Sequence, residues 1–519
     1  MMVTPVRERE ALEVNTRVRA TVLHPPFRGV TSRVSCANLR ITRVSLCVRC
    51  EAHMKMSFEG THSAQSGHIT RAVAMSIILL GAAMDLRAQE SSPADRQDEQ
   101  KARPTGLPDV GEWTFNINAG LGAFAFSNSL YANPRPDPSG DLSSNWQESY
   151  VKPALSGDFK LHNGSTVFAK GSVVGARTFS APPGIVGESA SGYHAEDLYI
   201  GWRSGTSLDL GEDAIELTLG RAPYKLGHGF LIYDGSGDGG SRGGFWTGAR
   251  SAWERAAIGR FKVKNHTLET FYLERDDLPE AETDTKLWGV NYELAVGENS
   301  TLGLTYIKAS ADENTQPLRD GMDVYDARAF LAPFSSLPGL SLELEYALED
   351  NGDAMESSGW TAQLGYELSD LTWKPRLSYR YTSFEGDDPN TPESEAFDSL
   401  YVGFYDWGSW YQGEIAGEYF LANSNLISHQ VRLHVTPSES LSGGLIAYDF
   451  LLDQPETFAP GVTSDDVAYE LDAYVDWKIN SNITASFVLA YAEPGDAVEE
   501  GLGRTESLKY GMVYVSYAY

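Results

Sequence analysis

Leu471-Asp472-Ala473-Tyr474-Val475-Asp476-Trp477-Lys478-Ile479 places an aliphatic residue or tryptophan at every odd position and an acid, a lysine or a tyrosine at every even one. Period two is the repeat of a β-strand, whose successive side chains point to opposite faces. A strand with one apolar and one charged face stands between two different surroundings. The same rhythm recurs along the chain. Trp113, Phe115, Ile117, Ala119 and Leu121 alternate with Thr114, Asn116, Asn118 and Gly120. Trp288, Val290, Tyr292, Leu294 and Val296 alternate with Gly289, Asn291 and Glu293. Leu342, Leu344, Tyr346 and Leu348 alternate with Ser341, Glu343 and Glu345, and Trp360, Ala362, Leu364, Tyr366 and Leu368 with Thr361, Gln363 and Glu367. Each run has the length of about 9–11 residues that crosses a bilayer as a tilted strand, and aromatics recur near run ends as an interfacial girdle requires.

The connections between runs have a rhythm of their own. Short polar turns fall at 162–165, 297–299, 369–370, 436–438 and 480–482, where Asn, Gly and Asp supply tight-turn geometry. Long polar connections mostly alternate with them, at 127–147, 178–192, 222–251, 309–322, 349–358, 383–398, 453–467 and 493–506. Short turns on one side and long loops on the other predict an all-β protein, a transmembrane antiparallel up-and-down β-barrel of about 18 strands (about 16–20), least distinct over 398–436. No window approaches the ~18 consecutive apolar residues of a transmembrane helix. Mean hydropathy is negative, as a barrel with a wet lumen allows. A propeller would repeat a unit of ~40–50 residues, and none is present. The last run, Tyr510 to Tyr519, ends on an aromatic residue. It resembles the signal read by the barrel insertion machinery of outer membranes, which is therefore an expected partner, with outer-membrane lipid and lipopolysaccharide around the barrel.

The N-terminal part reads differently. Residues 71–84 form a short apolar core with a basic flank, and Ala88 is a plausible cleavage residue, so 54–88 reads as a signal peptide. Residues 1–53 are Arg-rich and read as an upstream extension. They hold all three cysteines, Cys36, Cys47 and Cys50. The spacing of Cys47 and Cys50 lacks a second pair or a His cluster, so no metal or redox site is expected. Residues 89–111 read as a flexible periplasmic lead-in and 112–519 as the barrel. Residues 1–88 carry 12 of the 41 basic and 6 of the 71 acidic residues, leaving 29 against 65, a net charge of −36. That balance excludes nucleic acid as a partner.

Within this acidic background the positive charge is phased. Arg260, Lys262 and Lys264 share a face opposite Phe261 and Val263. Lys374, Arg376 and Arg380 oppose Trp373, Leu377, Tyr379 and Tyr381, and Arg432 and His434 oppose Val431, Leu433 and Val435. If the apolar face meets lipid, these stripes point into the lumen. Rings of Lys and Arg there favour anionic solutes; the same residues equally serve as lumen salt bridges to facing Asp and Glu. The candidate solute-binding set also includes Arg221, Lys225, Arg242, Arg250 and Arg255, from the cation-rich window 203–275.

The most unusual local sequence is the Gly-rich stretch 227–246. Its glycines permit tight folding, and it reads best as a loop that folds into or over the pore and constricts it. Gly239-Gly240-Ser241-Arg242-Gly243 is a formal nucleophile-elbow match without a strand-to-helix context. Asp234 and Asp238 match a calcium-binding loop only weakly. No metal, cofactor or catalytic set is expected.

Several short motifs resemble the alginate export porin family: Phe384-Glu385-Gly386-Asp387-Asp388-Pro389-Asn390-Thr391, Glu395-Ala396-Phe397-Asp398, Trp410-Tyr411-Gln412-Gly413-Glu414-Ile415, Asn423-Ser424-Asn425-Leu426 and Glu470-Leu471-Asp472. Gly220-Arg221 and Arg250 resemble the family's positions at a strand end and the next strand's start. The resemblance spans roughly 215–519. It implies an outer-membrane barrel of about eighteen strands passing an acidic polysaccharide, with Arg221 and Arg250 among its carboxylate-binding residues. The family tends to carry Arg where Phe230 stands, and Phe-Asp where Ala252-Trp253 stands. The expected function is a bacterial outer-membrane channel for anionic saccharides or other anionic solutes. Two alternatives remain at this level: a barrel enzyme acting on lipid or an envelope polymer, with Ser241 and His228 as its nearest candidates, and a secreted soluble β-rich binding protein.

Overall fold

A computed structural model describes residues 111–129, 143–180, 182–183, 190–403, 412–417, 419 and 421–519. The upstream extension, signal peptide and residues 89–110 of the lead-in lie outside the described residues, as do Trp410 and Tyr411.

Eighteen strands follow one another: β1 (Glu112–Ser127), β2 (Ser144–Lys160), β3 (Thr166–Phe179), β4 (Ser191–Arg203), β5 (Ile215–Pro223), β6 (Ala252–Val263), β7 (His266–Glu274), β8 (Lys286–Ala295) and β9 (Thr301–Ser310). The second half comprises β10 (Asp323–Leu331), β11 (Leu340–Asp350), β12 (Glu356–Glu367), β13 (Arg376–Phe384), β14 (Leu426–Ser438), β15 (Leu441–Leu451), β16 (Asp466–Lys478), β17 (Ile483–Pro494) and β18 (Leu508–Ala518). Each pairs antiparallel with its sequence neighbours, and β1 pairs with β18 to close the sheet. Closure removes the edges that would leave backbone groups unsatisfied in a bilayer. At the seam, Ile117 and Tyr519 exchange backbone hydrogen bonds of 2.9 and 3.0 Å.

Alternation sorts side chains between the two surfaces. On β16, Leu471, Val475 and Trp477 are exposed on the outer wall, whereas Asp472 and Tyr474 are buried inside; Ile479 lies in the following turn. On β18, Tyr510 and Met512 point inward. Buried polar groups recur on the inward face all round, including Glu148, Asn291, Gln363 and Gln430.

Long and short connections mostly alternate, with two departures: the connection expected to be long at 349–358 is only 351–355, and 204–214 on the short side is as long as 275–285 on the other. The turn between β14 and β15 is Glu439–Ser440, two residues beyond the expected 436–438. A long connection at 275–285 was not expected from sequence, because its Asp and Glu residues run on from β7 without a Gly or Asn break. The loop expected at 383–398 begins at 385, and β14 starts only at Leu426, with 385–403, 412–417, 419 and 421–425 described between them.

Candidate functional site

Two long connections fold inward rather than away from the barrel. The first insert comprises residues 224–251 and the second, where described, 385–403, 412–417, 419 and 421–425. Phe230, Leu231 and Ile232 of the first are wholly buried, as are Ile415 and Ala416 of the second. The two inserts pair in parallel: the Tyr233 N–H donates to the Tyr401 carbonyl at 2.8 Å, and the Tyr401 N–H to the Leu231 carbonyl at 2.9 Å. Phe230 packs on Phe384 and Phe397 at centroid distances of 5.6 and 6.2 Å, so the apolar residue at this position joins insert to insert.

Acidic residues on the inner wall hold the inserts by their backbones. Glu148 on β2 accepts the N–H groups of Trp246 and Thr247, each at 2.8 Å. Glu196 on β4 accepts those of Ser251 and Ala252 at 2.8 and 3.2 Å. On β16 Glu470 accepts those of Ile415 and Ala416 at 2.8 Å, and Asp472 that of Glu414 at 3.2 Å. Glu349 accepts the Asp398 N–H at 2.8 Å. Each bond satisfies an irregular backbone group that no ladder could reach. Five inner-wall acids, Glu148, Glu196, Glu349, Glu470 and Asp472, thus serve to dock loops.

A compact cation centre lies where the first insert meets the connection 275–285. Arg221, at a bulge near the top of β5, and Arg242 both bond the Asp276 carboxylate, Arg242 at 2.9 Å. Burial alone would raise the Asp276 carboxyl, but Arg221, the Ser236 hydroxyl and Arg242 together hold it below the usual range. Arg242 also donates to the carbonyls of Gly237, Asp276 and Asp277 at 3.1, 3.0 and 2.6 Å. Arg250, only 1% exposed, bonds Asp238 at 3.0 Å. Burial, with Asp234 nearby, pushes the Asp238 carboxyl up to about 8, against the pull of Arg250. Donors remain unused. Nε of Arg221, Nε of Arg242, and Nε and Nη2 of Arg250 have no acceptor among the described residues. His194 lines the same centre from β4: a Cβ on Gly192 would lie 2.6 Å from its Nε2 and 3.4 Å from the Arg242 Cα.

The other candidates are distributed. Arg260 bridges Glu216 at 3.0 Å and Glu269 at 2.6 Å. Arg376 lies 3.8 Å from Glu343, Arg380 donates to Gln363 at 3.1 Å, and Arg432 to the Tyr474 hydroxyl at 2.6 Å. Lys262 is exposed on the inward phase of β6, and Lys225 is exposed above the Tyr233 ring, 5.5 Å from its centroid. Three placements differ from expectation. Lys264 and Lys374 sit in short turns with φ of 55° and 44°, so the strand phase does not carry them into the lumen. Arg255 shares the outward phase of Phe261, opposite Arg260 and Lys262, in unbroken register with β7, and pairs with Glu274 at 3.0 Å.

Sequence reading missed the clamp on the second insert. Arg319 holds Asp398 through two bonds of 2.7 and 2.6 Å and the Tyr401 hydroxyl at 3.1 Å. Arg275 stacks on the Tyr401 ring at 4.3 Å. It also missed Arg328, buried on β10 among Asp326, Glu293 and Asn291. A search for mixed-charge as well as all-basic stripes would have found Asp326 and Arg328, two residues apart on one face. The proposed enzyme pair is parted. Ser241 donates to Glu280 at 2.9 Å, while His228 stacks on Phe330 at 3.7 Å and faces Glu343 at 3.5 Å. Among the described residues no group of three or more His, Cys, Asp or Glu could hold a metal ion.

A family model described as alginate export matches residues 195–510, more than half of the chain. The chain belongs to the alginate export family. None of the curated proteins matches it. Among solved structures, OccK8 (OprE) of Pseudomonas aeruginosa is similar at a TM-score of 0.50 and 12% identity, covering 79% of this chain and 98% of that one. OpdL of the same organism is similar at a TM-score of 0.50 and 11% identity, covering 79% and 99%. At such identities the likeness is one of fold. Family and closed eighteen-stranded barrel together make this alginate export family member a channel of the bacterial outer membrane. The exposed apolar outer wall removes the soluble alternative.

Proposed function

We propose that the channel passes anionic solutes, acidic saccharides above all, as a passive conduit without bond chemistry. The observation that carries this reading is the cation centre: Arg221, Arg242 and Arg250 converge on two carboxylates and keep four buried nitrogens without acceptors among the described residues, which a carboxylate would meet as the first insert shifts. A guanidinium with spare donors in a low-dielectric setting is a receptor for a carboxylate, because its planar fork matches both oxygens. The paired state of Arg260 and Arg376 supports a lumen wall that is largely self-neutralised, so selectivity would concentrate at this one centre. Arg221 and Arg250, which the family resemblance marks as carboxylate-binding, both belong to it.

Single-channel recording with a panel of charged oligosaccharides tests the reading. Oligouronates added to the bath should interrupt the current, whereas neutral oligosaccharides of equal length should not. Arg250→Ala should weaken the block about tenfold, the loss of one charge-assisted bond of ~1.5 kcal/mol. Equal interruption by neutral and acidic sugars would overturn it.

A further inference from the structure

The outer wall carries a second patch of basic residues, separate from the lumen. On β6 to β10, Arg255, Lys286 and Lys308 stand on the outward face one or two pairs below the long connections. Arg255 is opposite Glu274, and Glu274 is opposite Lys286. Lys308 is opposite Trp288 on β8 and Asp323 on β10. Strands are ~4.8 Å apart, which puts Arg255 and Lys286 about 10 Å from each other and Lys308 about 8 Å from Lys286. The Arg255 side chain is 68% exposed and bonds Glu274 through Nη1 alone. Lys308 reaches Asp323 at 2.9 Å. Lys286 has no ion-pair partner among the described residues.

Directly beneath these cations runs a row of outward aromatics: Tyr272, Trp288, Tyr306 and Tyr325, one from each of β7 to β10. Trp288 meets Tyr306 edge-on at 6.3 Å, and Tyr306 meets Tyr325 at 5.5 Å. Such a belt marks the boundary between hydrocarbon and headgroups, so the cations above it lie at headgroup depth. The long connections of a barrel face the cell exterior, which makes this the outer leaflet. The rim is polarised. The corresponding outward positions on β11, β12, β15 and β17 carry Asp350, Glu356, Asp449 and Glu493, while Arg177 on β3 and Lys509 on β18 are isolated cations elsewhere. A basic sector on an otherwise acidic rim complements phosphate.

We propose that the outward face of β6–β10 binds the phosphates of outer-leaflet lipopolysaccharide, with Arg255, Lys286 and Lys308 as the phosphate ligands and Tyr272, Trp288, Tyr306 and Tyr325 packing against the sugar and upper acyl segments. The site rests on the outer-membrane placement and not on the solute that passes. A charged phosphate receives hydrogen bonds from the exposed guanidinium and two ammonium groups without needing to enter the barrel.

The test uses the refolded full barrel in detergent, titrated with lipopolysaccharide, with enzymatically dephosphorylated lipopolysaccharide and with inorganic phosphate, reading tryptophan fluorescence and co-migrating lipid. Wild type should bind lipopolysaccharide at least tenfold more tightly than R255A/K286A/K308A, and dephosphorylation should reduce wild type to the level of the variant. Inorganic phosphate at millimolar concentration should neither bind nor compete. Single-channel conductance and oligouronate block of the variant should equal those of wild type, which separates this site from the lumen centre. If the triple variant fails to refold, K286Q/K308Q gives the same comparison with an expected threefold loss. Equal affinity of wild type and variant, affinity that survives dephosphorylation, or the same side chains binding free phosphate equally well would overturn the proposal.

Discussion

Arg250 and Asp238 form a pair whose charge state sets what the cation centre offers to a solute. Burial holds Asp238 as a neutral acid below about pH 8, with Asp234 adding to the effect and Arg250 opposing it. As pH falls through 8 the carboxylate takes up a proton, and Arg250 loses its counter-charge while Arg221 and Arg242 still share Asp276. Oligouronate block should therefore strengthen between pH 9 and pH 6.5, and Asp238→Asn should remove that dependence; block that weakens on acidification would contradict the assignment. The stability sign follows from the same raised group. A carboxyl raised from 3.8 to about 8 binds its proton more tightly when folded, so its contribution is present at low pH and lost as pH rises from about 4 through about 8. Lys264→Ala and Lys374→Ala, both in turns, should leave current and selectivity unchanged. The sequence could not distinguish these lysines from Arg260. Phase identifies a face only while a strand continues, and both lysines fall where the chain turns with positive φ. Arg255 differs: it entered with the cation-rich window 203–275, although its phase, shared with Phe261 and opposite Arg260, already points outward.

Glu148 and Glu196 act on a whole element, the first insert: Glu148 accepts the N–H groups of Trp246 and Thr247, and Glu196 those of its last residue, Ser251, and of Ala252 at the start of β6. Hydrogen bonds to a charged acceptor contribute ~1.5–3 kcal/mol each. The variant Glu148→Gln/Glu196→Gln keeps shape but not charge and should loosen the insert, giving a larger and noisier single-channel current with unchanged barrel folding on a heat-modifiability gel. An unaltered current would mean that these carboxylates do not position the insert. Tyr401→Ala should have a similar effect on the second insert, since it removes the ring held by Arg275, Arg319 and Trp253. The inward folding of 227–246 was legible from its glycines and its length. The pairing of that loop with the second insert was not, since it joins residues about 170 apart through four backbone bonds that no side-chain pattern encodes.

For the whole molecule, alternation along runs such as Leu471–Trp477 sufficed to define the wall, because every strand obeys the same two-sided constraint of lipid and lumen. The interior followed no period and stayed hidden until the inserts were placed. The net charge of −36 changes meaning accordingly: inner-wall acids bind loop backbones, outward acids and bases polarise the rim, and the centre around Arg250 retains spare positive donors. The most direct test of that account is the reversal potential of the refolded channel in a planar bilayer under a tenfold potassium chloride gradient at pH 7. Anion preference that falls in Arg221→Ala/Arg250→Ala is the predicted result. Cation preference in the wild type, following the net charge of the chain, would contradict it.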